Sequence, residues 1–151
     1  MCIIVGGGIS GLYCAYKWSK KYDKVILFES ADYFGGRIFT FKKKNRPDWR
    51  WEAGGARFTK SMKLLLALIK EFGLENKKQY DYEKFYNVKH NESVKIFEKT
   101  PVKKILVNKG KIVGVDTSYG KINCEYVVLA TGMWSRQIAE DINVSVPLYP
   151  N

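Results

Sequence analysis

Two continuous apolar runs, Cys2-Ile3-Ile4-Val5 and Val25-Ile26-Leu27-Phe28, flank a glycine-rich turn, Gly6-Gly7-Gly8-Ile9-Ser10-Gly11, and constrain the fold more than any other feature. A run without polar alternation has no solvent face, so each suits a strand buried on both sides of a parallel sheet. Parallel neighbours need a crossover, and Ile9, Leu12, Tyr13 and Tyr16 recur at helical spacing straight after the glycines. The turn therefore joins a strand to a helix. In that setting Gly6 permits the tight turn, Gly8 lets the backbone approach a pyrophosphate, and Gly11 lets the helix lie close to the strand. Phosphates would rest on the N–H groups that open the helix, at Ile9 and Ser10, in its partial positive charge. The second run ends at Glu29, 18 residues beyond Gly11, where a carboxylate can accept hydrogen bonds from a ribose hydroxyl, with Ser30 beside it.

The segment after the second run separates NAD from FAD. Glu29-Ser30-Ala31-Asp32-Tyr33-Phe34-Gly35-Gly36-Arg37-Ile38 resembles the second FAD signature of the flavin-containing amine oxidases. The resemblance implies that Gly35 and Gly36 let the backbone pass near the cofactor and that Arg37 neutralises phosphate charge, a task its planar fork suits. It continues through Trp51-Glu52-Ala53-Gly54-Gly55-Ala56-Arg57-Phe58, much as in polyamine and monoamine oxidases, and makes Gly54, Gly55, Ala56 and Arg57 candidate flavin contacts. Met62, Leu65, Leu66, Ile69 and Phe72 form a helical stripe expected to pack in the core, with Gly73 as its stop. The match to amine oxidases is specific from Cys2 to about Glu75.

Residues 77–93 are polar, hold the single histidine, His90, and read as a short link. The resemblance implies a large substrate domain at this point, so the sequence predicts that domain to be missing. Val94-Lys95-Ile96-Phe97 is a third apolar strand. Val102 to Val107, Lys111 to Thr117 and Lys121 to Cys124, broken at Asn108-Lys109-Gly110 and Ser118-Tyr119-Gly120, read as an antiparallel meander. It leads into Tyr126-Val127-Val128-Leu129-Ala130-Thr131-Gly132, which resembles the strand end that abuts the pyrophosphate in two-dinucleotide-type flavoproteins. In those proteins the strand at Val102 lends backbone to the adenine. Gly132 to Glu140, with Trp134, is similar to the D-amino-acid-oxidase superfamily, particularly its sarcosine and dimethylglycine dehydrogenase branch. A divergent natural protein and a truncated, rearranged or engineered composite both fit two families meeting in one chain.

With 151 residues, 46% of them hydrophobic, the chain can bury about two-thirds of its unfolded surface, and one domain over 1–151 is expected. Cys2, Cys14 and Cys124 are odd in number and show no zinc or redox spacing, so buried reduced thiols are expected and no metal. A strand starting at residue 2 leaves no room for a leader, and no apolar run reaches the ~20 residues of a membrane span. A cytoplasmic protein with no membrane partner is the expectation. The net charge of +11 raises nucleic acid as a partner, but its lysines are dispersed among acids and read as a solvated face. Pro47-Asp48-Trp49-Arg50-Trp51 is expected to be a loop packed against the domain.

The fold expected is α/β: a Rossmann-like FAD-binding domain with a central parallel sheet and an antiparallel β-meander crossover, its substrate domain missing. The resemblance implies non-covalent FAD and amine oxidation, with a homo-oligomer or partner subunit to cover the flavin. No catalytic residue can be named. The readings kept are a cofactor-binding module with little turnover, an active amine or amino-acid oxidoreductase and, more remotely, a basic nucleic-acid-binding domain.

Overall fold

The computed structural model describes residues 1–55, 58–74 and 93–147. In chain order the elements are β1 (Cys2–Val5), α1 (Ile9–Ser19), β2 (Val25–Phe28), β3 (Thr40–Lys43), β4 (Arg46–Glu52), α2 (Lys63–Glu71), β5 (Val94–Phe97), β6 (Val102–Asn108), β7 (Lys111–Thr117), β8 (Gly120–Asn123), β9 (Tyr126–Leu129) and α3 (Ser135–Glu140). A 3₁₀ turn over Gly132–Trp134 leads into α3.

The apolar runs become a parallel sheet in the order β5-β2-β1-β9. All eight residues of β1 and β2 are buried, which explains why neither run alternates. One sheet face packs Cys2, Ile4, Val25 and Leu27 against Ala15 of α1. The other packs Ile3, Val5, Ile26 and Phe28 against Val115 of the meander and Cys124. Each fully buried aliphatic side chain contributes about 1.5 to 3 kcal/mol, so this double-sided burial anchors the fold. The meander has the order β6-β7-β8, antiparallel throughout.

The register aligns Val5 with Phe28 and Leu129, and Phe28 with Phe97. Residues 6, 29, 98 and 130 therefore leave the sheet side by side at the carboxyl edge, where open α/β sheets bind ligands.

α2 is fastened to the outside of α1. The Tyr16 and Phe72 rings lie 5.3 Å apart, and the Tyr16 hydroxyl donates to Glu71. Lys20 joins Glu71 at 3.2 Å and Lys17 reaches it at 3.6 Å. That hydroxyl, then Lys20, hold the Glu71 carboxyl below its ordinary pKa. The stripe expected to pack in the core does not bury: Leu65, Leu66, Ile69 and Phe72 are half-buried and Met62 is exposed, while the buried residue of α2 is Leu68, outside that stripe.

A second correction concerns residues 47–51. They belong to strand β4, paired antiparallel with β3, and Trp49 and Trp51 are about half exposed instead of packed inward. The pairing shifts register between Lys42 and Lys43, so β4 is irregular just before Arg50. All three cysteines are free thiols, Cys2 and Cys124 buried and Cys14 half-buried. Among the described residues no group of ligands could hold a metal, and no helix is long and apolar enough to cross a membrane. The link from 77 to 92 with His90, together with Ala56 and Arg57, lies outside the described residues.

Candidate functional site

The glycine-rich turn is held from three sides. Gly6 donates to Phe28 O at 2.8 Å, and its φ of +104° is one that L side chains rarely adopt. A Cβ there would also meet Ala130 O at 2.5 Å. A Cβ on Gly11 would run into Gly6 O and approach Ala130 Cβ, so the start of α1 lies directly on the end of β1. A Cβ on Gly7 would meet the Phe34 ring at 2.5 Å and Glu29 Oε2 at 2.9 Å. The chain's own packing demands glycine at these three positions.

Gly8 is different. Its φ of −70° and ψ of 177° suit any residue, and a Cβ there would have no atom within 4 Å. Neither backbone strain nor internal packing accounts for a glycine here, but a ligand lying against the turn would. Gly8 also precedes α1, whose first turn has no capping side chain and no acidic residue. The N–H groups that open α1, at Ile9, Ser10 and Gly11, thus keep their partial positive charge for an anion. A cradle that a single Cβ would fill, at an uncapped helix start, fits a pyrophosphate.

Glu29 leaves β2 beside this turn and is fixed by backbone. Its Oε2 accepts the Gly7 N–H at 2.6 Å, and its Oε1 accepts the Ala31 N–H at 2.8 Å and the Ser30 hydroxyl at 3.1 Å. A carboxylate offers about four lone-pair sites, so acceptor capacity is left for hydroxyls of a ligand. Thr100 donates its N–H to Glu29 O at 2.8 Å, and Lys99 donates to Ala31 O at 2.9 Å. These bonds lay the start of β6, with half-buried Val102, alongside the acid.

Gly35 donates to Gly7 O at 2.9 Å and forms a bridge with Gly8. A Cβ on Gly36 would stand 3.2 Å from Gly8 Cα, so both glycines of this pair press against the turn. Arg37 O accepts the Gly55 N–H at 2.6 Å, and a Cβ on Gly54 would strike the same carbonyl. The Arg37 side chain is exposed and makes no ion pair among the described residues. On the far side Ala130 donates to Val5 O at 2.8 Å, and the Thr131 and Ser135 hydroxyls pair at 2.9 Å. Trp134 is 68% exposed at the rim, next to Gly132.

Of the expected site residues, Gly6, Gly8, Ile9, Ser10, Gly11, Gly35, Gly36, Ala130 and Thr131 gather around the turn, Gly54 and Gly55 lie against Arg37, which follows Gly36, and Gly132 follows Thr131. Glu29, Ser30 and Val102 form an adjoining group. Ala56 and Arg57 cannot be placed, being outside the described residues. The sequence reading missed Gly7, Phe34 and Thr100, which hold the site in shape. Gly7 stood within the motif and was legible there; Phe34 and Thr100 carry no local signal. A shallow pocket of about 630 Å³ is lined by Phe28, Phe97, Lys99, Thr100 and Tyr119, and so adjoins the strand ends beside Glu29.

A family profile described as flavin containing amine oxidoreductase matches residues 9–95, and one described as FAD dependent oxidoreductase matches residues 88–151. Achacin from Lissachatina fulica is 45% identical over 75 residues, 49% of this chain and 14% of achacin. An L-amino-acid oxidase from Mus musculus is 34% identical over 105 residues, 67% of this chain and 16% of that protein. The chain thus spans a small part of the curated relatives it matches. A putative protoporphyrinogen oxidase from an Exiguobacterium species superposes with a TM-score of 0.71 at 12% identity, over 93% of this chain and 61% of that one. That likeness is one of fold.

Proposed function

The chain belongs to the flavin-containing amine oxidoreductase family, whose cofactor is FAD, and we propose that it is one unit gripping the adenosine diphosphate half of that cofactor. The observation that carries this reading is the open space over Gly8, at a position where the chain itself has no need of glycine. In it, Gly8 and the start of α1 receive the pyrophosphate, Arg37 adds the balancing charge, and Glu29 accepts from the ribose. Val102 offers backbone to the adenine, while Gly35, Gly36, Gly54 and Gly55 let the chain run close to the cofactor. Bound FAD would supply the electron acceptor for oxidation of an amine or amino acid.

The chain alone is proposed to turn over little. Gly36, Arg37, Gly54 and Gly55 are all exposed, so the described residues build no water-excluding wall beside the turn. The second reading is a working amine or amino-acid oxidoreductase, alone or completed by a partner subunit; the name of the mouse relative favours an amino acid as substrate. Titration with FAD, followed by the visible spectrum, tests the binding. A folded chain that stays colourless after incubation with FAD would overturn it. Anaerobic mixing with amino acids then separates module from enzyme.

A further inference from the structure

Away from the glycine turn, the β3 and β4 hairpin leaves an aromatic face uncovered. The register places Phe41 opposite Trp51 and Lys43 opposite Arg46. The pairing shifts register between Lys42 and Lys43, and Trp49 is placed by its contacts with Lys43 and Arg46. Phe41 and Trp51 stack with ring centres 4.2 Å apart, and the Lys43 Nζ and the Arg46 guanidinium lie 5.2 and 5.3 Å from the Trp49 ring centre. Trp49 and Trp51 are 53% and 51% exposed. The opposite face carries Thr40, Lys42, Arg50 and Glu52, with Thr40 bonded to Glu52 at 2.9 Å, and Lys44 stands at the turn. The two strands join neither larger sheet.

We propose that this hairpin docks the chain on an anionic lipid surface, with Trp49 and Trp51 at headgroup depth and Lys43, Lys44 and Arg46 against lipid phosphates. The argument is charge complementarity joined to amphipathic form. Tryptophan settles at that depth because its ring is apolar and its N–H polar, and lysine stems can lie along apolar surface while their ammonium groups reach phosphate. Each basic residue near an anionic leaflet strengthens partitioning about fivefold, and the net charge of +11 attracts the chain to it. A nucleic acid fits less well. Base stacking needs open ring faces, and here Trp51 is stacked on Phe41 while Trp49 lies against two cations. Such contact is at the surface and not a span, and it departs from the expectation of no membrane partner.

The test is flotation of the full chain with vesicles of phosphatidylcholine alone and of phosphatidylcholine mixed with phosphatidylglycerol. Binding is expected to the mixed vesicles only, released by salt and accompanied by a blue shift of tryptophan emission. Lys43→Gln with Lys44→Gln should weaken it roughly 25-fold, about fivefold per lysine. Trp49→Ser should weaken it as well and reduce the blue shift. If Trp49→Ser fails to fold, the lysine variant decides, since it changes two exposed side chains. Equal binding to both vesicles, binding to neither, unchanged binding of the lysine variant, or displacement of the vesicles by a single-stranded oligonucleotide would overturn the proposal.

Discussion

The Gly7 N–H donates to Glu29 Oε2 at 2.6 Å, joining the glycine turn to the acid at the end of β2 through one hydrogen bond. The carboxylate is oriented by the protein's own backbone, since Ala31 holds its other oxygen at 2.8 Å. Both contacts need an acceptor on each oxygen. Glu29→Gln replaces one acceptor with an NH₂ group facing an N–H, so it should both loosen the turn and impair the ribose contact. Affinity for FAD is expected to fall by about 1 to 3 kcal/mol, the cost of poorly paired buried polar groups. Thermal unfolding of the cofactor-free protein should also move to lower temperature, a shift that a residue touching only ligand would not cause.

Gly8 allows fold and binding to be separated. Gly8→Val introduces a side chain into open space on an ordinary backbone, so stability should fall only by about 1 kcal/mol, from a poorer residue before α1. FAD binding should nonetheless be lost. Gly7→Ala should behave in the opposite order, because its methyl meets the Phe34 ring and the Glu29 carboxylate, and overpacking of this kind costs about 1 to 3 kcal/mol of stability. Urea titration beside FAD titration checks both; an unaltered FAD affinity in Gly8→Val would place the cradle elsewhere.

Arg37→Lys tests charge against shape. The backbone at Arg37 is fixed by the Gly55 N–H at 2.6 Å whatever side chain it bears, and the side chain itself is exposed. Stability should therefore be unchanged. A point charge in place of a planar fork should weaken FAD binding by about 1.5 kcal/mol. Affinity measured at several salt concentrations should show the variant keeping most of its salt dependence, since the charge count is the same.

How far the sequence foretold these features depends on where the signal lies. Cys2 to Val5 and Val25 to Phe28 were legible as buried parallel strands because burial on both faces leaves an unbroken apolar run. The meander was legible from Asn108-Lys109-Gly110 and Ser118-Tyr119-Gly120, where turn chemistry is local. The β3 and β4 hairpin was misread since Trp49 and Trp51 suggested inward packing, and nothing local says that an aromatic face stays exposed. Met62 misled for a related reason: helical spacing shows which side is apolar but not how much of it a neighbour covers. The Gly7 to Glu29 bond spans 22 residues, and its geometry follows from the pairing of β1 with β2, which the motif implied without dimensions.

The buried Cys2 thiol makes a pH prediction. Burial, reinforced by Cys124, pushes its pKa up from 9.0 to about 12. In the unfolded chain the thiol ionises near its ordinary value, while in the fold it keeps its proton. The stabilisation is therefore complete below pH 9 and is lost as pH rises from there toward 12. Urea midpoints should decline between pH 9 and pH 11, and the decline should be shallower in Cys2→Val, which has nothing to ionise at that site. The native thiol should also resist alkylation at pH 8 and react once the chain is unfolded.

Turnover is the last expectation, and it rests on what surrounds the glycine cluster. Holding reactants in near-attack geometry lowers a barrier by about 7 to 11 kcal/mol, which requires a shaped and water-excluding pocket. Among the described residues around the turn, the exposed Gly36, Arg37, Gly54, Gly55 and Trp134 offer a surface and no enclosure. The FAD-loaded chain should thus be reduced readily by dithionite and only slowly, without saturation, by sarcosine, D-amino acids, L-amino acids or simple amines. A second copy or a partner covering this surface would change that, so the mixing experiment is run across protein concentrations with size measured in parallel. Fast, saturable bleaching by a monomer would show that this chain carries a complete active site; bleaching that appears only with self-association would locate the missing wall in the partner.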